Sequence, residues 1–257
     1  MKTMHLGTQL FTARDHMKTP EDFKATMRKV ADIGYNCVQV SGVNWNVILP
    51  EIVAEASKET GLKVVLTHTN ADRLLAEPDK VIEEHSLFGC DYIGIGGAAI
   101  FDDKEGADRF LDKFAPIVEK IKAAGKTFLY HNHDWEFTKN IEGGNVIDYF
   151  LANSDPEGFK LSFDAYWNYY AGNDTPADIR KYGSRIAITH FKDMQIVDGK
   201  RLMTELLTGI IDYDAIMQAC DEQNILWHFV EQDNVYMDVF DSLKISHDNM
   251  KQRYNMI

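Results

Sequence analysis

The sequence predicts one α/β domain over residues 1–257, a (β/α)8 TIM barrel, and three observations predict it. Eight short apolar runs recur along the chain with amphipathic helical patterns between them. Each run after the first follows a Gly or an Asn, the residues that close a helix in the left-handed conformation. A length of 257 residues is usual for one such barrel. Strands alternating with helices pair in parallel through right-handed crossovers, and eight units close more naturally than they spread into an open sheet. A doubly wound sheet is the competitor, but it wants GxGxxG after the first strand, and this chain has none there.

Taken in order, MHLGTQLF (4–11) supplies the first strand. The runs YNCVQVSG (35–42), LKVVLTHT (62–69), CDYIGIGG (90–97) and KTFLYHNH (126–133) supply the next four. FKLSFDAY (159–166), SRIAITHFKD (184–193) and ILWHFVEQD (225–233) complete the set, the last after Asn224 rather than Gly. Helical patterns cover 21–33, 46–60, 78–88, 105–124, 145–153, 176–182 and 213–222, with a last helix after Val239. Two starts are well marked. Thr19-Pro20 precedes Glu21-Asp22, and Thr175-Pro176 precedes Ala177-Asp178, so that Thr caps, Pro takes the first turn and an acid follows. Gly94, Gly96 and Gly97 suit tight packing as well as they suit phosphate binding. No linker or second domain interrupts the pattern.

Composition narrows the function classes. A formal net charge of −13 argues against non-specific attraction to nucleic acid or anionic lipid. No apolar stretch approaches the roughly 20 residues of a membrane span. Met1-Lys2-Thr3-Met4-His5 runs into the first strand without a signal-peptide core, so the expectation is a soluble cytoplasmic protein. Cys37, Cys90 and Cys220 are far apart and without CxxC spacing, which reads as buried thiols rather than disulfides or a thiolate metal site.

In a barrel of this kind chemistry sits at the C-terminal strand ends. Here those ends carry Thr67-His68-Thr69, His131-Asn132-His133, Asp164, His190-Phe191-Lys192-Asp193 and Glu231-Gln232-Asp233. Four of nine histidines fall at three of these ends. Residues two apart share a face, so His131 goes with His133, His190 with Lys192 and Glu231 with Asp233. One inward ligand from each late strand gives Asp164, His190 and Glu231, and a fourth comes from His131, His133 or Glu136. A carboxylate-rich shell with one imidazole suits Mn²⁺, Mg²⁺, Co²⁺ or Zn²⁺, with Mn²⁺ first. Each residue has a structural alternative: a barrel-end His bonded into the frame, Asp164 capping the next helix, Glu231 paired with a lysine. Trp45, Trp135 and the run Tyr166-Trp167-Asn168-Tyr169-Tyr170 lie past strand ends and offer rings for a sugar to stack on, or simply core.

The segments YHNHDWEF (130–137), SFDAYW (162–167), ITHFKD (188–193) and FVEQD (229–233) resemble the xylose-isomerase-like barrels, over nearly the whole chain. That family includes sugar isomerases and epimerases, inosose dehydratase and endonuclease IV. The resemblance implies Asp164, His190 and Glu231 as metal ligands. Many epimerases of the family have a ligand Glu where this chain has His131. The YHNHxxEF form resembles a subgroup in which Glu136 supplies that ligand from the loop, which keeps the shell rich in oxygen. His131 and His133 are then free for proton transfer; if His131 binds instead, Glu136 supports from behind.

The chemistry implied is proton transfer beside the carbonyl of a ketose or keto-sugar, with the metal stabilising an enediolate. Glu231 and His131 or His133 move the proton, and Lys192 polarises a substrate oxygen. His68, Trp135, Trp167 and Lys192 contact the small carbohydrate substrate. The alternative is a metal-dependent lyase or dehydratase acting on a keto-inositol or 3-keto-glycoside. Cleavage of abasic DNA is disfavoured by the acidic charge, and a non-catalytic sugar-binding barrel predicts binding that survives chelation. A homo-oligomer is a further expectation, since a partner copy can help to exclude water from the mouth.

Overall fold

The computed structural model describes residues 3–99, 103–254 and 256–257. Met1 and Lys2, part of the stretch read above as lacking a signal core, lie outside the described residues. Eight strands form the barrel: β1 (His5–Gln9), β2 (Cys37–Val40), β3 (Lys63–His68), β4 (Tyr92–Ile95), β5 (Thr127–His131), β6 (Phe159–Asp164), β7 (Ile186–Phe191) and β8 (Trp227–Val230). Each pairs in parallel with its sequence neighbours, and β1 pairs with β8, so the sheet closes on itself. The doubly wound alternative is thereby excluded. All eight apolar runs contain a strand, and the predicted helical stretches contain helices, including Pro20–Ile33, Pro50–Thr60, Lys104–Ala123 and Val239–Tyr254. No helix among the described residues is long and apolar enough to cross a membrane.

Local chemistry accounts for the boundaries. Thr19 caps Pro20–Ile33 in a reciprocal box with Asp22. Asn224 takes a left-handed φ of 59°, as a helix-closing residue should. Two expectations are corrected. Asp174, not Thr175, caps the helix Thr175–Tyr182, because its carboxylate accepts from Ala177 N–H and Thr175 is already inside the first turn. Gly158 is not left-handed; it is small because a Cβ there would stand 2.6 Å from Val118 Cγ1.

The interior of the barrel decides where chemistry can sit. Cys37, Val65, Leu66, Leu129, Ile188 and Phe229, drawn from five strands, form a core cluster separate from the larger one between barrel and helices. Gly7 belongs with them, since a Cβ there would meet Phe229 and Cys37 within 2.8 Å. Two residues further along the same strands, on the same face, come Gln9, Gln39, His68, His131, His190 and Glu231. The apolar plug thus supports a polar layer at the C-terminal strand ends. Sequence reading missed several short excursions around it: the 3-10 helix Leu10–His16, the helices Ala71–Ala76, Trp135–Thr138 and Ala165–Tyr170, and antiparallel hairpins at 140–145 and 193–204.

Candidate active site

His131, Asp164, His190 and Glu231, all buried, each offer a ligand atom, and these atoms lie within 4.8 Å of one another. Their strands β5, β6, β7 and β8 are consecutive in the wall. His131 Nε2 stands 3.2 Å from Asp164 Oδ2, and His190 Nδ1 stands 3.1 Å from Glu231 Oε2. Asp164 serves two ends at once. Its Oδ1 accepts from Trp167 N–H and caps Ala165–Tyr170, while its Oδ2 faces the group. Asn132 holds its backbone on both sides, donating to Asp164 C=O and accepting from Asp164 N–H. The helix-cap and ligand alternatives for Asp164 are therefore compatible.

Two glutamines that the sequence reading passed over touch the group. Gln9 Nε2 donates to Glu231 Oε1 at 2.7 Å, and His190 Nε2 meets Gln39 Oε1 at 2.6 Å. The signal that finds them is the same alternation: each follows an inward residue of its strand, Gly7 or Cys37, by two.

Lys192 lies at the centre of charge. Its fully buried ammonium is 2.9 Å from Asp164 Oδ2, 3.1 Å from Glu231 Oε2 and 3.0 Å from Asp233 Oδ2. Burial opposes the charge on Lys192, but these three carboxylates outweigh it and raise its pKa. Burial likewise raises the carboxyls of Asp164 and Glu231, and Lys192 outweighs it, leaving both below the ordinary value. Asp193, next along, does not face this group. It accepts from Met194, Gly209 and Ile211 N–H and so pins the loop after the 193–204 hairpin.

Glu136 is where the geometry departs most from the sequence reading. Its carboxylate accepts from Tyr130 O–H and from His133 N–H, each at 2.7 Å, and it is not one of the four clustered groups. His131 joins the group because β5 continues its alternation from Leu129 to His131, whereas Glu136 follows in the helix Trp135–Thr138 and turns back beneath the loop. Burial pushes its carboxyl up to about 7. What Glu136 does is hold the 131–133 turn, so His133 is placed against His131 at 4.8 Å between ring centres and against Trp167 at 5.9 Å. Gly97 makes room: a Cβ there would sit 3.0 Å from His133. Burial lowers His133 to about 3, so its imidazole is neutral near neutral pH.

The remaining expected residues divide. His68 lies 5.0 Å from His131 and 5.6 Å from His190, ring to ring, and its Nε2 is buried without a hydrogen bond. Trp167 is half-buried, with Lys192 Nζ 5.4 Å from its ring. Trp135 is half-buried and packs against the large core, and Trp45 stacks on Phe88. Gly94 packs on Leu66 and the Thr67 carbonyl, which favours the tight-packing reading of that glycine. All three cysteines are free and buried.

The residues fit a divalent cation. His131 Nδ1 and His190 Nδ1 are buried without hydrogen-bond partners, an arrangement costly to leave unmet. Three carboxylates share one lysine, so the centre also retains excess negative charge. Two imidazoles and two carboxylates form a donor set that first-row divalent ions accept.

The chain belongs to the xylose isomerase-like TIM barrel family, whose model matches residues 27–235. No curated protein matches it. Among solved structures, a sugar phosphate isomerase/epimerase from Parabacteroides distasonis superposes with a TM-score of 0.82 at 18% identity, covering 100% of this chain and 96% of that one. A probable 3-DHS dehydratase from Bacillus anthracis gives 0.77 at 13% over 97% and 100%, and an L-ribulose 3-epimerase gives 0.76 at 14% over 97% and 94%. At such identities the likeness is one of fold.

Proposed function

We propose that this member of the xylose isomerase-like TIM barrel family is a divalent-metal-dependent isomerase or epimerase of a sugar or keto-sugar. The observation that carries the reading is the buried group His131, Asp164, His190 and Glu231 with Lys192 against it, at the strand ends where such barrels do chemistry. A divalent ion bound there supplies positive charge for the substrate oxygen that gains charge when the neighbouring carbon loses its proton. Because His131 replaces a carboxylate, the donors are two nitrogens and two oxygens. That moves the expected preference away from Mg²⁺ and toward Co²⁺ and Zn²⁺, with Mn²⁺ still accommodated.

The protein's own groups take the other parts. Glu231, kept ionised by Lys192 and His190 against the effect of burial, accepts the proton next to the carbonyl. Lys192, held protonated, donates a hydrogen bond to a substrate oxygen. His133 stays neutral and binds a hydroxyl as donor or acceptor rather than as a cation. Trp167 offers the sugar an apolar face beside Lys192.

The test is exchange in D2O. Protein loaded in turn with Mn²⁺, Co²⁺ and Zn²⁺ is offered a panel of ketoses and 3-keto-sugars. One deuteron at the carbon beside the carbonyl, with an epimer or the isomeric aldose formed and a chelator abolishing both, is the expected result. Release of a β-substituent without isomer replaces this reading with the lyase one, and absence of both reactions with every ion overturns it.

A further inference from the structure

Four residues supply the donors, but what aims those donors lies on the other side of the barrel. Gln9 ends β1 and Gln39 lies near the end of β2, both buried, and neither carries charge. Their amides are locked in opposite senses. Gln9 Oε1 accepts from Phe11 N–H at 2.6 Å, so the NH2 end must face Glu231 Oε1, to which it donates at 2.7 Å. Gln39 Nε2 donates to Ser41 Oγ at 3.2 Å, and its carbonyl end faces His190 Nε2, 2.6 Å away.

Each sense has a consequence. An amide oxygen has no hydrogen to give, so His190 Nε2 carries a proton, and in the neutral imidazole Nδ1 then carries the lone pair. Glu231 has Oε1 occupied by Gln9, which leaves Oε2 facing His190 and the Lys192 ammonium. His190 Nδ1 and Glu231 Oε2 are buried 3.1 Å apart, and Lys192 Nζ stands 3.1 Å from the same Oε2. With the imidazole neutral, two acceptors face each other; Lys192 reaches Oε2 and leaves Nδ1 unmet, whereas a divalent ion between them satisfies both. We propose that Gln9 and Gln39 are positioning residues that fix the His190 tautomer and the Glu231 carboxylate so that Nδ1 and Oε2 converge on one divalent ion. The inference rests on reading the four-residue group as a metal centre.

The opposite senses make the test sharp. Glu at position 39 still accepts from His190 Nε2–H, whereas Glu at position 9 presents an acceptor to an acceptor. Both changes add one negative charge, so the difference between them isolates the direction of the hydrogen bond. Affinity for Mn²⁺ and for Zn²⁺ is measured by chelator competition on Q39E, Q39L, Q9E and Q9L, beside thermal melts. The ¹⁵N shifts of His190 are read in metal-free protein. We expect Q39E to bind at least as tightly as the parent, and Q39L and Q9L to lose about 10- to 100-fold, the usual span for such partners. Q9E should fall at least about tenfold below Q39E. His190 should keep its proton on Nε2 in the parent and Q39E and lose that preference in Q39L. If Q39E and Q39L weaken binding alike, in step with their melting temperatures, the two glutamines are only structural and the proposal is overturned. It is overturned as well if all four variants bind like the parent. A parent that takes up neither ion, with His190 protonated on Nε2 as expected, refutes the metal centre and leaves the tautomer assignment standing; His190 protonated on Nδ1 refutes the positioning itself.

Discussion

The two halves of the barrel end in different chemistry. Strands β5 to β8 finish in His131, Asp164, His190, Lys192 and Glu231, all five ionisable and all buried. Strands β1 to β4 finish in Gln9, Gln39, His68 and Gly96, with no formal charge among them beyond what His68 can take, and burial lowers His68 well below its usual pKa. The same apolar plug supports both halves. On the proposed metal reading the halves divide the labour: one concentrates charge that Lys192 and a cation balance, and the other supplies neutral dipoles that orient it. Neutral neighbours are the economical choice there, because a further buried charge brings a desolvation cost of several kcal/mol.

The comparison breaks most visibly in the charged half. Asp164→Ala or His190→Ala should remove metal binding and lower turnover by on the order of 10³-fold or more, read as metal content and kcat/KM. His131→Ala should do the same, while Glu136→Gln should keep the metal. If His131→Ala keeps its metal and Glu136→Gln loses it, the fourth position has been assigned to the wrong residue.

Lys192 tests the balance within that half. Lys192→Met leaves Asp164, Glu231 and Asp233 without their shared cation and should cost about 3 kcal/mol of stability, the scale of breaking a buried pair. Added Mn²⁺ or Zn²⁺ should recover part of it, because the ion replaces the missing charge. Urea melts with and without the ion measure this, and an equal loss in both removes the idea that lysine and metal neutralise the same carboxylates.

Those outcomes bear on what the sequence makes legible. Asp164, His190 and Glu231 are readable because charged residues at strand ends stand out and period-two alternation assigns their face. Gln39 has the same position and alternation and went unread, since an amide inside an apolar run carries no obvious chemistry. Glu136 stands outside the clustered group for the opposite reason: preference for an oxygen-rich shell favoured it in sequence, while alternation puts His131 two residues after Leu129. How a helix of four residues turns its carboxylate back onto Tyr130 and His133 depends on contacts across the loop, which spacing does not encode. The eight barrel strands were legible because each repeats one pattern. The 193–204 hairpin breaks that pattern, and its anchor Asp193 looks in sequence like a site residue.

Glu136 separates support from chemistry by its pH dependence. Its carboxyl is raised by burial from an ordinary 4.5 to about 7 in the folded protein. A raised acid binds its proton more tightly when folded, so its contribution to stability is full below about pH 4.5 and is lost as pH climbs through 7. The loss amounts to at most about 3 kcal/mol, since each pKa unit is worth about 1.4 kcal/mol. Glu136→Gln should flatten that part of the stability profile between pH 5 and 8 while leaving metal content unchanged. A parallel profile in parent and variant means that the carboxyl is not perturbed by its surroundings.

The smallest effect is expected at His68, where the neutral half meets the substrate. Its ring lies within 5.6 Å of both His131 and His190, yet its Nε2 has no hydrogen bond, and Gly96 leaves space beside its Nδ1. An unpartnered imidazole nitrogen next to the proposed metal centre is free to meet a substrate hydroxyl. His68→Phe keeps the ring and removes that nitrogen, so one hydrogen bond of about 1 kcal/mol is lost. KM should rise roughly five- to tenfold with metal affinity unchanged, and kcat should fall less than KM rises. Should His68→Phe instead weaken metal binding as strongly as His131→Ala does, the line between the two halves is drawn two strands too late. The charged group would then extend into β3, with His68 acting on the ion rather than on the sugar.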